Sequence, residues 1–150
     1  MKLDTLLEQL TQRLKLPNAK PDQSGRLQLT FDSVYDVDIE PLADAPGFVL
    51  VGKLGKVAAE SRQERLAKML EANLLDRVCS GAFTSLDPRD GSLILCRRID
   101  GEVDYAFLEN ELSKFVSRLQ HFRDDNAKAV RGDVAPASEG PQMARFAIRA

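Results

Sequence analysis

Cys79, Cys96 and His121 are the side chains best suited to bond-making chemistry at neutral pH. A thiol attacks as the thiolate and needs a base to generate it. Cys79 and His121 would make such a pair if the fold brought them together, because nucleophile and base meet in space rather than in sequence. No motif surrounds Cys79, and His121 is the only histidine. Two cysteines and one histidine at these wide spacings do not make a zinc signature. Gly47-Phe-Val-Leu-Val-Gly-Lys53-Leu54 comes within one residue of a phosphate-binding loop. That loop needs Ser or Thr where Leu54 stands, to hold magnesium, with a strand before its first glycine and a helix after its lysine. Here the apolar run lies between the two glycines and Gly55 follows at once, so the string reads as a strand ending in a turn. Asp36, Asp38 and Glu40 alternate along one segment. Paired acids can exchange protons, but a solvent-facing strand accounts for them. Arg131-Gly132-Asp133 matches an adhesion tripeptide by chance. No cofactor and no metal is expected, and the chain reads as a non-enzyme.

The elements that carry these residues are legible from periodicity. Leu3, Leu6, Leu7, Leu10 and Leu14 fall on one side of a helix that Pro17 stops. Arg26 to Phe31 alternates, apolar at the odd positions, as does Val34 to Glu40 with Tyr35, Val37 and Ile39 on one face. Asp32-Ser33 between them suits a two-residue hairpin, although it lacks the usual glycine. Phe48 to Val51 is a third strand. A central helix from about Glu60 repeats Leu66, Leu70, Leu74 and Val78 at every fourth position, with Met69 and Leu75 alongside. Arg62, Glu64, Arg65, Lys68 and Glu71 take its other face. That stripe serves either the chain's own core or a partner. A short strand follows, then the turn Asp87-Pro-Arg-Asp-Gly91, then a strand from Ser92 to Ile99. Asp104 is a good N-cap for a last helix striped by Tyr105, Leu108, Leu112, Phe115, Leu119 and Phe122, with Glu111, Lys114, Arg118 and Gln120 outward. The pattern fades at about Asp125. Residues 126–150 are rich in Ala, Pro, Gly and charge and read as a flexible tail. The order α-β-β-β-α-β-β-α predicts an α+β fold, an antiparallel sheet with helices packed on it.

At 150 residues this is most simply one domain. The composition is 43% hydrophobic and 29% charged, an ordinary soluble balance. A net charge of -2 and a pI near 5.5 point away from nucleic acid and acidic membranes. No apolar run approaches the ~20 residues of a membrane span. The first residues are amphipathic, unlike a signal peptide, so a cytoplasmic protein is expected. Both cysteines then read as small buried hydrophobes rather than a disulfide.

Several strings resemble the type III secretion chaperones of the Tir-chaperone (CesT) family, class I effector chaperones of Gram-negative bacteria. They are the leucine-rich first helix, Leu70-Glu-Ala-Asn-Leu-Leu75, Leu86-Asp-Pro-Arg-Asp-Gly-Ser-Leu-Ile-Leu95, and the closing Phe115-Val-Ser-Arg-Leu119. The resemblance covers about Met1 to Asp125, a chaperone-like domain, and leaves out the tail. It implies a small acidic homodimer with no catalytic residues. It implies a secreted effector as partner, its N-terminal segment wrapped in extended form around the dimer and kept export-competent, with the secretion-system ATPase as a further partner. It implies a dimer interface at Leu66, Met69, Leu70, Leu74 and Phe83. By the same analogy Leu6, Leu10, Leu14, Phe31, Val34 and Leu50 line effector grooves. Two alternatives stay open: a dimeric adaptor or regulator of the same fold without a secretion role, and a small thiol enzyme using Cys79.

Overall fold

The computed structural model describes residues 1–74, 81–131 and 148–149. Its elements are α1 (Leu3–Arg13), β1 (Leu27–Phe31), β2 (Tyr35–Pro41), β3 (Gly47–Lys56), α2 (Arg62–Asn73), β4 (Phe83–Leu86), β5 (Ser92–Asp100), α3 (Tyr105–Arg131) and β6 (Ile148–Arg149). The fold is α+β, as expected from the element order. One antiparallel sheet runs β4-β5-β3-β2-β1, and β6 extends it beyond β1.

The periodicities explain which face is buried. Leu27, Leu29 and Phe31 of β1 point inward, as do Val37 and Ile39 of β2 and Phe48, Leu50 and Leu54 of β3. They meet Leu6, Leu7 and Leu10 of α1 and the stripe Leu108, Leu112, Phe115, Leu119 and Phe122 of α3. Each such side chain contributes roughly 1.5–3 kcal/mol by leaving water. α3 lies across β3, and Gly52 permits the approach: a Cβ there would stand 2.8 Å from the Leu119 methyls and 3.2 Å from the Phe115 ring.

Local chemistry sets the ends of the elements. α1 stops before Pro17. Leu16 N–H donates to Thr11 O and Lys15 N–H to Gln12 O, with Lys15 at φ 55, a Schellman cap built without glycine. The β1–β2 turn puts Asp32 and Ser33 at φ 50 and 59, both tolerant of the left-handed region by the standards of polar turn residues. Val34 N–H donates to Phe31 O, yet the ladder pairs Phe31 with Tyr35. Val34 is therefore left in the connection rather than on a strand face. Asp104 caps α3 as its type suggested, its Oδ1 accepting from Phe107 N–H at 2.8 Å.

Besides Val34, α2 differs from the sequence expectation by ending at Asn73, with Leu74 as an extended C-cap rather than a stripe residue, and three further boundaries differ. β3 runs to Lys56, well past Val51, because β5 pairs with it as far as Lys56, whereas β2 pairs with it only to Gly52. α3 continues past Asp125 to Arg131, so the expected domain boundary falls inside a helix. Its apolar stripe ends earlier, but Ala, Lys and Arg are strong helix formers and extend it. Ile148–Arg149 pairs with β1, within the stretch expected to be tail.

Candidate functional site

The candidates for chemistry that lie among the described residues sit in structural settings. The near-miss phosphate loop lies within β3 from Gly47 onward, and its second glycine is filled by α3 as described. Asp38 accepts from Arg26 at 2.6 Å, Glu40 lies 3.6 Å from the same guanidinium, and Asp36 accepts from the Thr30 hydroxyl at 2.7 Å. Those acids are engaged in cross-strand pairing. His121 sits mid-helix, exposed, 3.4 Å from Asp125. A helix whose apolar pattern fades at about Asp125 would put His121 near its end, but α3 runs on to Arg131. Cys96 is a buried free thiol, pushed up to about 11 by burial and by the charge of Glu40. Cys79, Leu75 and Val78 lie outside the described residues. Among the described residues no group of three or more His, Cys, Asp or Glu could hold a metal, and no helix is long and apolar enough to cross a membrane.

What remains is apolar surface. Leu70 is 71% exposed, Leu74 63% and Phe83 44%. All three were expected at a dimer interface. Phe83 pairs with Cys96 and Cys96 with Val51, so the three share one row on the sheet face opposite the helices. Val49 and Ile94 lie on the same face and are half-buried. The other two interface candidates face inward: Met69 is in the core and Leu66 packs against it. The reason is geometric. At about 100° per residue Leu70 lies roughly 130° round the helix from the middle of the buried face, and Leu74 follows α2 as a C-cap with extended backbone, off the helical stripe. The buried face is Arg65, Met69 and Ala72.

Three polar residues fix this surface in place. Asn73 clamps β4 to the end of α2. Its Oδ1 accepts from Thr84 N–H at 2.7 Å, and its Nδ2 donates to Thr84 O at 3.0 Å. The Thr84 hydroxyl donates to Met69 O at 2.9 Å. Asn73 was legible only as part of a resembling string; its poor helix propensity was the physical signal available. Arg65 was expected to face solvent but is buried, with Nη2 donating to Phe122 O at 3.2 Å. It ties α2 to α3, and desolvation holds its pKa below the usual arginine value. Glu111, also expected outward, is buried and pairs with Arg97 and Lys114, each at 3.1 Å. Burial pushes its carboxyl up, but hydrogen bonds from Lys114 and Arg97 outweigh this and leave it below the usual value.

The expected groove residues separate sharply. Leu6, Leu10, Phe31 and Leu50 are sealed in the chain's own core, at 1% exposure or less. This corrects the analogy: residues on the inward face of an element that packs on a sheet have no surface to offer. Leu14 is half-buried against the core and Val34 is 51% exposed in its turn. α1 does border a cleft of about 560 Å3, but with other residues, among them Leu7, Thr11, Leu16, Pro17 and Pro21.

The fold has solved counterparts. A chain of the HopA1–SchA chaperone–effector complex is 19% identical, with a TM-score of 0.65, over 80% of this chain and 91% of its own. The Yersinia pestis complex of the type III secretion chaperone SycH with a stable fragment of YscM2 gives 20% identity and a TM-score of 0.64, over 81% and 99%. The heterodimeric ExoU–SpcU complex from the type III secretion system of Pseudomonas aeruginosa gives 21% and 0.57, over 85% and 94%. Among curated protein sequences none matches. These identities establish a shared fold. The family model for Tir chaperone proteins matches residues 5–123, most of the chain, and the chain belongs to the Tir chaperone protein (CesT) family.

Proposed function

We propose that this protein is a type III secretion chaperone that binds the N-terminal segment of an effector in extended form and keeps it soluble and export-competent. The observation that carries this reading is family membership across residues 5–123. The solved counterparts include chaperones held with their clients, which supports a secreted partner of the same kind. The surface is compatible with holding rather than turnover: exposed leucines and a phenylalanine, with acids engaged in ion pairs. An extended client supplies many small apolar anchors and a backbone able to pair, so it is held without being folded.

The same reading makes the protein a non-enzymatic homodimer in the bacterial cytoplasm, joined through Leu70, Leu74 and Phe83. Leu14 and Val34 are the expected groove residues that keep any surface for a client. The secretion-system ATPase is the partner that would receive the loaded complex.

The test is to purify the tagged chain from its own host and identify what it carries by mass spectrometry, then to digest the complex with protease. One secreted protein, protected along an N-terminal stretch with no fold of its own, is the expected result. A partner held as a folded domain, or no secreted partner, overturns the reading in favour of an adaptor.

A further inference from the structure

We propose that the Asn73 side chain is an edge guard: its amide occupies the open side of β4 and keeps a second copy of this chain from adding there as a strand. The inference concerns the protein without a client and goes beyond the chaperone reading.

β4 ends the sheet. β5 lies on one side of it, and among the described residues no strand lies on the other. An edge strand is a template for pairing with another chain, and proteins blunt such edges with charge, proline, a bulge, shortness or a covering element. Phe83-Thr-Ser-Leu86 carries no charge and no proline. Its register with β5 is continuous over all of its residues, so no bulge turns it away. Phe83 and Leu86 are exposed, so the edge is apolar as well as open. Uncharged, β-prone sequence of this kind pairs readily when left bare. The protection left to it is its shortness and Asn73.

Residues along an antiparallel strand alternate. One exchanges both backbone bonds with its neighbour, and the next turns both groups away. Thr84, opposite Leu95, is of the second kind, since Asn73 takes both its N–H and its C=O. The amide therefore stands where a residue of a further strand would stand, and no other backbone can bond Thr84 while it stays. α2 delivers it there. Asn73 is the last residue of that helix, and the buried Thr84 hydroxyl, donating to Met69 O one turn earlier, holds the helix end against the strand. Asparagine is a poor helix former, a local cost that the contact with β4 offsets.

The occupant excluded is a second copy because the edge is self-complementary. About a two-fold axis, Thr84 of one copy can face Thr84 of the other, each N–H donating to the other's C=O. That register sets each Phe83 opposite a Ser85 and brings no like charges together.

The test compares the full-length wild type with Asn73→Ala and Asn73→Ala/Thr84→Pro by sedimentation velocity over a wide range of protein concentration, with circular dichroism to follow folding. Proline at position 84 removes the donor that a second strand would use. It costs no bond to β5, because the Thr84 N–H points away from that strand. At the top of the range Asn73→Ala should reach at least about twice the wild-type mass, and the double variant should return to the wild-type mass. Leu50→Ala, weakened in the core with its edge still guarded, should also keep the wild-type mass. Hydrogen exchange reads the same event on the amide itself. The Thr84 N–H should exchange about tenfold or more faster in dilute Asn73→Ala than in wild type, and slow again as the variant associates. An unchanged mass for Asn73→Ala overturns the proposal. So does association that persists in a folded double variant or appears equally in Leu50→Ala. If the double variant does not fold, the exchange decides: a Thr84 amide still fast in associated Asn73→Ala overturns the proposal, and one protected there upholds it.

Discussion

Asp87 opens the β4–β5 turn and accepts from the Arg89 guanidinium at 2.7 Å and from Arg89 N–H at 2.9 Å. The Arg89 side chain, then the Arg89 backbone, hold its carboxyl at about 2, below the ordinary 3.8. A carboxyl lowered by folding stabilises the native state above its unfolded pKa and loses that contribution as pH falls through the folded one. The window here runs from about pH 4 down to about pH 2. Asp87→Asn should flatten the loss of stability across that window, read as melting temperature against pH; parallel profiles would show that the turn carboxylate is not what titrates. Cys96 behaves in the opposite sense. With its thiol pushed up to about 11, almost none is thiolate near neutrality. Native protein treated with iodoacetamide at about pH 8 should remain unmodified at Cys96 and become labelled there only in denaturant. Rapid native labelling, seen by mass spectrometry, would contradict the burial.

At the scale of elements, the joint between α2 and β4 depends on one amide. Asn73 satisfies both backbone groups of Thr84, as a neighbouring strand would. Asn73→Ala leaves those groups without that partner and should lower unfolding free energy by about 1–3 kcal/mol in a denaturant titration. A loss below about 0.5 kcal/mol would mean that water replaces the amide. The sheet gives a paired comparison of core with surface. Leu50→Ala removes a side chain wholly inside the core and should cost about 2–5 kcal/mol. Val34→Ala, exposed in its turn, should stay within about 0.5 kcal/mol. If Leu50→Ala left stability unchanged but weakened a client, the original groove assignment for Leu50 would return.

At the scale of the whole molecule, three helices cover one face of the sheet, and the exposed leucines of α2 stand at its β4 end. A dimer through Leu70, Leu74 and Phe83 would bury the row that runs from Phe83 through Cys96 to Val51. Leu70→Asp/Leu74→Asp should convert the protein to a monomer by sedimentation while leaving its circular dichroism unchanged, since both side chains already lie in water in the single chain. An unchanged dimer would move the interface elsewhere; an unfolded chain would show that these leucines serve the fold.

Period and turn chemistry determined three helices and five strands, their order, and the α+β class, but not β6, because hydrophobic spacing at 2.0 or 3.6 residues is a local property. The α3 stripe, the Asp104 cap and the Asp87–Gly91 turn all stand where their residue types put them. The family strings Leu70–Leu75 and Leu86–Leu95 were likewise readable, and the family they resemble is the one to which the chain belongs. Only the tertiary structure decided which apolar residues are core and which are surface. An amphipathic stripe states that one face is apolar, not what it faces, so Leu6 and Leu50 could pass for groove residues until the sheet closed over them. Arg65 and Glu111 read as solvent-facing because charge is normally exposed; Lys114, three residues on along α3, is a local partner of Glu111, but Phe122 and Arg97 come from other elements, and contacts of that range leave no local spacing to read. The pairing of Ile148–Arg149 with β1 is equally non-local, since only the fold puts the last residues of the chain beside an edge strand formed near its beginning.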